Sequence, residues 1–506
     1  MNPHQRSEPM RTLLYLPSSP LQRFGLVLAF AFLATLASKG MAVLPGYAVD
    51  DYGVSNLDQS LTFYLSQGRY TQALLQWAAT ELDMRVPTFY WPSTVLILLA
   101  LPLAVAFGAT RIGDERTPVA WQCVGAALIC AHPYFSEYFT FRQALFNASV
   151  YVVLMAVHLY YAYRIDVKQP LLCSANRSPL ILSSAAMAFA LGGHQLVFPM
   201  TLAFVAMSLI VSWRDRQRPW MPNVSDLKQL APLIIGVACY LILHVVIKQI
   251  LGNAGDPRGQ LLDVSQIHER IGQVSALIRQ ILWSDEPLLS GAAKVLLIVP
   301  AGALLIAAGF RAPFSTLWVF VVTIVLIAMS LAPVALSGTW WPVPRALSAC
   351  GFVIGTTAVA LLILAGNGWH VRMAAACFLG SSLLMVLNSA AMLQEQHRLN
   401  RWDMNKAQLI TYDAVRRFGE DALEKLHFVN GNWTHASRLR TTDGDLNVSA
   451  LSVPWARPAL LMEASGVRAP STWTQVDPAT TECARRRAWP AEDAMYEAAD
   501  VIYVCL

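Results

Sequence analysis

Apolar stretches long enough to cross a lipid bilayer recur along the first four-fifths of this 506-residue chain. A helix of about 20 apolar residues spans the roughly 30 Å of hydrocarbon in a membrane. Hydrophobic residues make up 55% of the chain and charged residues only 14%, a balance that excludes an ordinary soluble protein. A membrane β-barrel would show short segments of alternating polarity, which are absent. The sequence therefore predicts an all-α polytopic membrane protein.

Hydropathy predicts about eleven spans. They cover residues 24–44, 89–109, 119–135, 143–163, 179–192, 195–213, 230–249, 293–310, 314–333, 346–366 and 373–393. The first follows Arg6, Arg11 and Arg23 and is longer than a signal-peptide core, so we expect a retained helix. Loops such as "RDRQRPW" are strongly basic, and the positive-inside rule then places the N-terminus in the cytoplasm. The net charge of +5 follows from these loops and requires no nucleic-acid partner.

The exported face carries most of the unusual polar residues. We expect a transmembrane domain over residues 1–393, amphipathic surface helices within 45–88, and a small exported α+β domain over 394–506. In this tail, "RLNRWDMNKAQLITYDAVRRF" predicts a helix, while "VPWARPALLM" and "ADVIYVCL" predict short strands. Cys483 and Cys505 are the two cysteines of the tail, and an oxidising compartment would allow a disulfide between them.

Two adjacent acids, Asp50 and Asp51, lie between the end of the first span and the predicted surface helix "VSNLDQSLTFYLSQGR". Adjacent acids are often only a solvated turn. Carboxylates beside hydrocarbon are costly, however, and are usually kept for a function. One of them is suited to act as a general base on a hydroxyl at the membrane surface. Neighbouring residues in a loop point in different directions, so the other would orient the substrate or hold a cation.

The acidic pair is followed about eighteen residues later by "GR", Gly68 and Arg69. This arrangement resembles the serotype-converting O-antigen glucosyltransferases of bacteria, members of the GT-C class of membrane glycosyltransferases. The segments "HPYFSEYFTF", "LGGHQLVF" and "WWPVPRAL" are also similar. The resemblance covers about residues 25–400. It departs from the family where His194 precedes Gln195, a position at which that family often has an aromatic residue.

The resemblance implies a polyprenyl-phosphate sugar donor, and an inverting transfer of a hexose, with glucose as the first expectation. The acceptor would be O-antigen or another envelope glycan at the periplasmic face of the bacterial inner membrane. Asp50 and Asp51 are the candidate catalytic residues, and Arg69 and Arg345 would bind the lipid phosphate, for which the planar guanidinium is well suited. The ordinary alternatives are a helix-dipole role for Arg69 and headgroup contact for Arg345.

Further candidates for substrate contact lie in the same exported segments. They are His132, Glu137, Arg142, His194, Gln195, Trp340 and Trp341. The tryptophans could instead belong to an interfacial aromatic belt, and the His–Gln pair could hydrogen-bond freed backbone groups. No HExxH spacing or Cys/His cluster predicts a metal site, so no cofactor is expected, although a divalent cation stays open.

Two other functions are compatible with a polytopic chain. A transporter or flippase for lipid-linked glycans would show discontinuous helices and charges at span centres, of which the sequence has few. An O-antigen polymerase would be expected to carry its essential cations in two large exported loops. The acid pair after the first span favours the transferase.

Overall fold

The computed structural model describes residues 19–44, 46–56, 61–82, 86–215, 223–251, 262–283, 288–429, 446–454, 456–466 and 481–506. In these ranges the α-helices are α1 Pro20–Lys39, α2 Val49–Asn56, α3 Leu61–Ser66, α4 Tyr70–Glu81, α5 Val86–Ala109, α6 Val119–Ala131, α7 Arg142–Ala162, α8 Ser174–Gly193, α9 Val197–Ser212, α10 Val224–Leu251, α11 Ile267–Leu282, α12 Gly291–Arg311, α13 Pro313–Ala335, α14 Ala349–Ala365, α15 Trp369–Phe418 and α16 Arg457–Ser465. The strands are β1 Leu426–Val429, β2 Met495–Ala498 and β3 Val501–Cys505. Two 3₁₀ segments, Pro133–Phe139 and Pro344–Leu347, are important for the site.

The predicted class of fold, a helical multi-pass membrane protein with a small α+β tail, is confirmed. Eight helices in the described part of the chain are long and apolar enough to cross a membrane. Shorter apolar helices, α6 and α9, and the more polar α8 occupy the other three predicted stretches. Every predicted span is therefore helical, but eleven complete crossings are not confirmed.

Helix α14 lies at the centre of the bundle. Within the apolar segment that it forms with the preceding turn, Pro344–Ala365, 89% of an 18-residue stretch is buried inside the protein. Gly355 of α14 contacts α6 closely, since a Cβ at this position would lie 2.8 Å from the carbonyl oxygen of Gly125. The bundle core therefore fixes the 3₁₀ turn that precedes α14.

Helix α15 is 50 residues long and continues well beyond the apolar stretch at its start. It contains no proline, and Gly419, with φ +87°, follows its last residue. The helix predicted from "RLNRWDMNKAQLITYDAVRRF" is the second half of α15. The domain boundary predicted at residue 394 thus lies inside one continuous helix.

The tail packs on the second half of α15. Its strands have the order β1-β3-β2, with β1 parallel and β2 antiparallel to β3. The strand predicted in "ADVIYVCL" is β3, and a disulfide joins Cys505 at its end to Cys483, as the cysteine count allowed. The strand predicted in "VPWARPALLM" is wrong. This segment forms α16, in which Pro458 occupies a position in the first turn where its missing N–H costs nothing.

The acid pair lies in the first turn of α2, not in a loop as predicted. Carboxylates at a helix N-terminus are favoured by the partial positive charge there. Of the surface helix predicted from Val54 to Arg69, residues 57–60 lie outside the described residues, and α3 forms part of the remainder. The second predicted surface helix is α4.

Candidate active site

Asp51 joins the N-termini of two helices. Its side chain is 1% exposed, and one carboxylate oxygen, Oδ2, accepts hydrogen bonds from the backbone N–H groups of Ala48 at 3.1 Å and Arg142 at 2.9 Å. Ala48 immediately precedes α2, and Arg142 is the first residue of α7. Asp51 therefore attaches α2 to the membrane bundle, and its contacts are those of a helix cap.

Asp50 lies on a different side of α2 from its neighbour. Its carboxylate is 34% exposed, and Oδ2 lies 3.7 Å from Nη2 of Arg345. The expectation that the two acids point in different directions agrees with this arrangement. Asp50 is the member of the pair that combines exposure to solvent with a neighbouring cation.

Arg345 is held by Glu137. Nη1 of Arg345 donates to Oε1 of Glu137 at 2.6 Å, and the backbone N–H of Arg345 donates to Oε2 at 2.6 Å. Glu137 is fully buried in the 3₁₀ segment Pro133–Phe139, while the side chain of Arg345 is 14% exposed. The guanidinium also lies 5.3 Å from the centre of the Phe141 ring. Glu137 therefore orients the cation beside Asp50, a role that its sequence position alone does not reveal.

Arg69 is placed by the glycine before it. Gly68 has φ +73°, and a Cβ there would lie 2.6 Å from Oη of Tyr240 and 2.8 Å from Nδ1 of His244. Only glycine satisfies both the left-handed backbone and this close approach. Arg69 is then the N-cap of α4, where a helix end favours an anion and not a cation. The dipole alternative proposed for Arg69 is therefore unsuited to its position.

The two candidate phosphate-binding arginines share electrostatic partners. Both Arg69 and Arg345 lie close enough to Tyr138 and His194 to interact with them electrostatically. The ring centres of Tyr138 and His194 are 6.2 Å apart, and the Tyr151 ring is 5.9 Å from His194. Of these residues, Arg345 is the one that also lies beside Asp50.

Gln195 and His194 have backbone partners. Nε2 of Gln195 donates to the carbonyl oxygen of Gln67 at 2.9 Å and to Oη of Tyr240 at 3.0 Å, which fixes the turn before Arg69. Nδ1 of His194 accepts a hydrogen bond from the N–H of Leu196 at 3.2 Å. His194 and Gln195 thus stabilise the break between α8 and α9. Such hydrogen bonding to backbone groups is the alternative to substrate contact that the sequence left open.

Two other candidates are buried away from solvent. Arg142 is 2% exposed and donates to the carbonyl oxygens of Gly46 at 2.8 Å and Leu44 at 3.2 Å, and to Oγ1 of Thr94 at 3.0 Å. His132 is 1% exposed, and its Nδ1 accepts from the N–H of Tyr134 at 3.4 Å. These contacts are with the protein's own backbone and hydroxyl groups.

Trp340 and Trp341 have different environments. Trp340 is partly buried, and the guanidinium of Arg270 lies 5.2 Å from its ring centre. Trp341 is 46% exposed, as an interfacial aromatic residue would be. Neither environment requires a sugar ring.

The sequence did not single out Tyr138, Tyr151, Gln396 or Asn400. The tyrosines lie in aromatic-rich apolar segments, where they cannot be distinguished from core residues. Gln396 and Asn400 are polar residues on a helix face, and only the fold shows their contact with the chain before Asp50. Within the described ranges, no group of three or more His, Cys, Asp or Glu side chains could hold a metal ion.

No protein-family model and no curated protein matches this chain. Two solved structures are similar to it. One is the archaeal oligosaccharyltransferase AglB from Archaeoglobus fulgidus, in complex with an inhibitory peptide and a dolichol-phosphate, with a TM-score of 0.40 and 11% identity over 79% of this chain. This chain spans 59% of the length of that protein. The other is ArnT from Cupriavidus metallidurans bound to undecaprenyl phosphate, with a TM-score of 0.37 and 13% identity over 86% of this chain and 84% of that one.

Proposed function

We propose that this chain is a membrane glycosyltransferase that moves a hexose, with glucose as the first candidate, from polyprenyl phosphate to O-antigen or another envelope glycan. The reaction takes place at the periplasmic face of the bacterial inner membrane, with the N-terminus in the cytoplasm. The observation that carries the proposal is the 3.7 Å separation of the Asp50 carboxylate and the Arg345 guanidinium. A general base and a cation for the leaving group are the two functions that such a transfer needs side by side.

The transfer is a single displacement. Asp50 takes the proton from an acceptor hydroxyl as its oxygen attacks the anomeric carbon of the sugar. The bond from that carbon to the phosphate oxygen breaks, and the electron pair leaves with the lipid phosphate. Arg345 and Arg69 stabilise the charge that develops on this leaving group. Attack from the side opposite the phosphate inverts the anomeric configuration.

The remaining polar residues of the site act on these three groups. Glu137 holds Arg345 by its side chain and its backbone, and Gln195 holds the turn that carries Arg69. Tyr138, Tyr151 and His194 form one group of neighbouring rings, and their polar atoms are proposed to contact sugar hydroxyls. The polyprenyl chain stays in the bilayer, since it is too apolar for water.

The test compares Asp50→Asn with Asp421→Asn, an exposed aspartate of the tail that serves as the matched control. Each purified protein in liposomes receives polyprenyl-phosphate glucose with a radiolabelled sugar and an O-antigen acceptor. We expect Asp50→Asn to lower turnover by about 10²–10⁴-fold, the usual contribution of a positioned base, while Asp421→Asn keeps the wild-type rate. An Asp50→Asn protein that folds and transfers sugar at the wild-type rate would falsify the proposal.

The same assay separates the transferase from a transporter or flippase. A transferase releases free polyprenyl phosphate and labels the acceptor, whereas a transporter relocates an intact donor. Appearance of the donor in the other leaflet without labelled acceptor would favour the transporter.

A further inference from the structure

Helix α2 is attached to two parts of the molecule. On the bundle side, Asp51 accepts from the N–H of Arg142, and the N–H of Ala48 donates to the carbonyl oxygen of Thr140 at 3.0 Å. On the other side, the chain at Tyr47 and the side chains of Val49 and Tyr52 contact α15 and the tail. Asp50 therefore lies on a short helix held between the membrane bundle and the exported tail.

The contact at Tyr47 uses both its backbone N–H and its backbone carbonyl oxygen. The N–H of Tyr47 donates to Oδ1 of Asn400 at 3.0 Å, and Nδ2 of Asn400 donates to the carbonyl oxygen of Tyr47 at 2.9 Å. Nε2 of Gln396, one turn earlier on α15, donates to the same carbonyl at 3.0 Å. We call these two side chains, Gln396 and Asn400, the amide clamp.

The amide clamp is buried, and its side-chain amides are hydrogen-bonded. Gln396 and Asn400 are 2% and 7% exposed. Oε1 of Gln396 accepts from the backbone N–H of Asn447 in the tail at 2.6 Å, and its Nε2 also lies 3.3 Å from Oδ1 of Asn400. Both the donor and the acceptor of each amide therefore have partners, which fixes the position of the chain before α2.

Apolar packing strengthens this attachment. Val49 and Tyr52, on either side of the acid pair, are 2% and 4% exposed. They belong to one buried cluster with Ala407 and Ile410 of α15 and Leu460 of α16. The tail therefore buries the α2 face that does not carry Asp50, which leaves Asp50 directed at Arg345.

We propose that Asn400 and Gln396 are positioning residues, which hold the Asp50 carboxylate in register with Arg345 through the backbone of Tyr47. This inference rests on the proposed function. A displacement of about 1 Å at a reacting group can reduce turnover by about 10²-fold, so a loosened α2 start is sufficient to slow the reaction. The exported half of α15 and the tail are then part of the catalytic unit, not an appended domain.

The test uses Asn400→Ala and Gln396→Ala, with Asn405→Ala as the matched control because Asn405 is exposed on the same helix. We expect Asn400→Ala to lower kcat by about 10- to 100-fold while KM for polyprenyl-phosphate glucose changes by less than about 2-fold. Gln396→Ala should have the same pattern with a smaller effect, because it removes one of the two donors to Tyr47. Asn405→Ala should keep both constants.

A second measurement does not depend on catalysis. Hydrogen exchange of the backbone amides of residues 47–52 should be faster in Asn400→Ala and unchanged in Asn405→Ala. If the wild-type protein transfers no sugar, the proposed function fails while this exchange measurement still tests the amide clamp. Unchanged exchange in Asn400→Ala, or a kcat within 2-fold of wild type, overturns the positioning role. The positioning role is also overturned if KM for the donor rises by the same factor as kcat/KM falls. In that case kcat is unchanged, so the substitution has altered donor binding and not the alignment of Asp50.

Discussion

Glu137 binds both the side chain and the backbone of Arg345, each at 2.6 Å. One carboxylate thereby sets the direction of the guanidinium and the position of the 3₁₀ turn that carries it. The carboxylate is fully buried and forms an ion pair with this arginine.

Glu137→Gln should impair both folding and turnover. The amide keeps the size of the side chain but presents an NH₂ group to one of the two Arg345 donors. Removal of one partner from a buried pair typically costs about 3–5 kcal/mol. The measurement is thermal unfolding in detergent, paired with turnover at a temperature where the variant stays folded. An unfolding temperature and rate equal to wild type would contradict the role of Glu137.

Gly68→Ala should weaken the binding of the donor phosphate. The new methyl group would enter the contact with Tyr240 and His244, and φ +73° is strained for alanine. The turn must shift, and Arg69 shifts with it. We expect a higher KM for the lipid donor, measured by initial rates. The matched control is Gly272→Ala on α11, where a Cβ meets no atom within 4 Å; equal effects of the two substitutions would argue against the placement of Arg69 by Gly68.

Asp51→Asn should affect stability more than chemistry. An asparagine retains one acceptor oxygen, but the charge that favours the two helix N-termini is lost. A hydrogen bond to a charged group contributes about 1.5–3 kcal/mol, so a loss of unfolding free energy in this range is expected. Turnover of the folded fraction should stay within about tenfold of wild type, in contrast to Asp50→Asn. Chemical denaturation followed by tryptophan fluorescence measures the first quantity. A stable but inactive Asp51→Asn protein would transfer the catalytic role to Asp51.

The double substitution Cys483→Ser, Cys505→Ser should destabilise the tail and leave the site intact. The disulfide joins β3 to the segment before β2, and loss of such a bond typically costs about 2–4 kcal/mol. The amide clamp and the packing of Val49 and Tyr52 involve other residues. Limited proteolysis should therefore cut the tail faster while turnover at low temperature is retained. Loss of turnover with an undigested tail would show that the disulfide itself maintains the site.

Local sequence properties predicted the helices well and their contacts poorly. Hydropathy is a property of neighbouring residues, and each predicted span is helical in the structure. The predicted boundary at 394 reflects a change from lipid-facing to polar residues, but backbone hydrogen bonding continues through it to Phe418. The change in residue composition at 394 indicates where the surroundings of α15 change, and it does not mark the end of the helix.

For the candidate site, the sequence indicated residue types and left their contacts open. Asp50 was selected because a carboxylate beside hydrocarbon is costly, and Arg69 and Arg345 because a planar guanidinium suits a phosphate. The contact between Asp50 and Arg345 depends on the packing of α2 and the turn before α14. Arg142 has the same residue type and a similar location, yet it binds the carbonyl oxygens of Leu44 and Gly46. Only the fold distinguishes Arg345, which lies beside Asp50, from an arginine that binds backbone carbonyl groups.

The length of α15 couples the lipid environment to the chemistry. A continuous helix of 50 residues is about 75 Å long and connects its apolar first half directly to its second half. Membrane-spanning helices adjust their tilt to the thickness of the surrounding bilayer. A change in acyl-chain length would therefore reach Tyr47 through Asn400, and under the proposed function the rate of sugar transfer would depend on the thickness of the membrane.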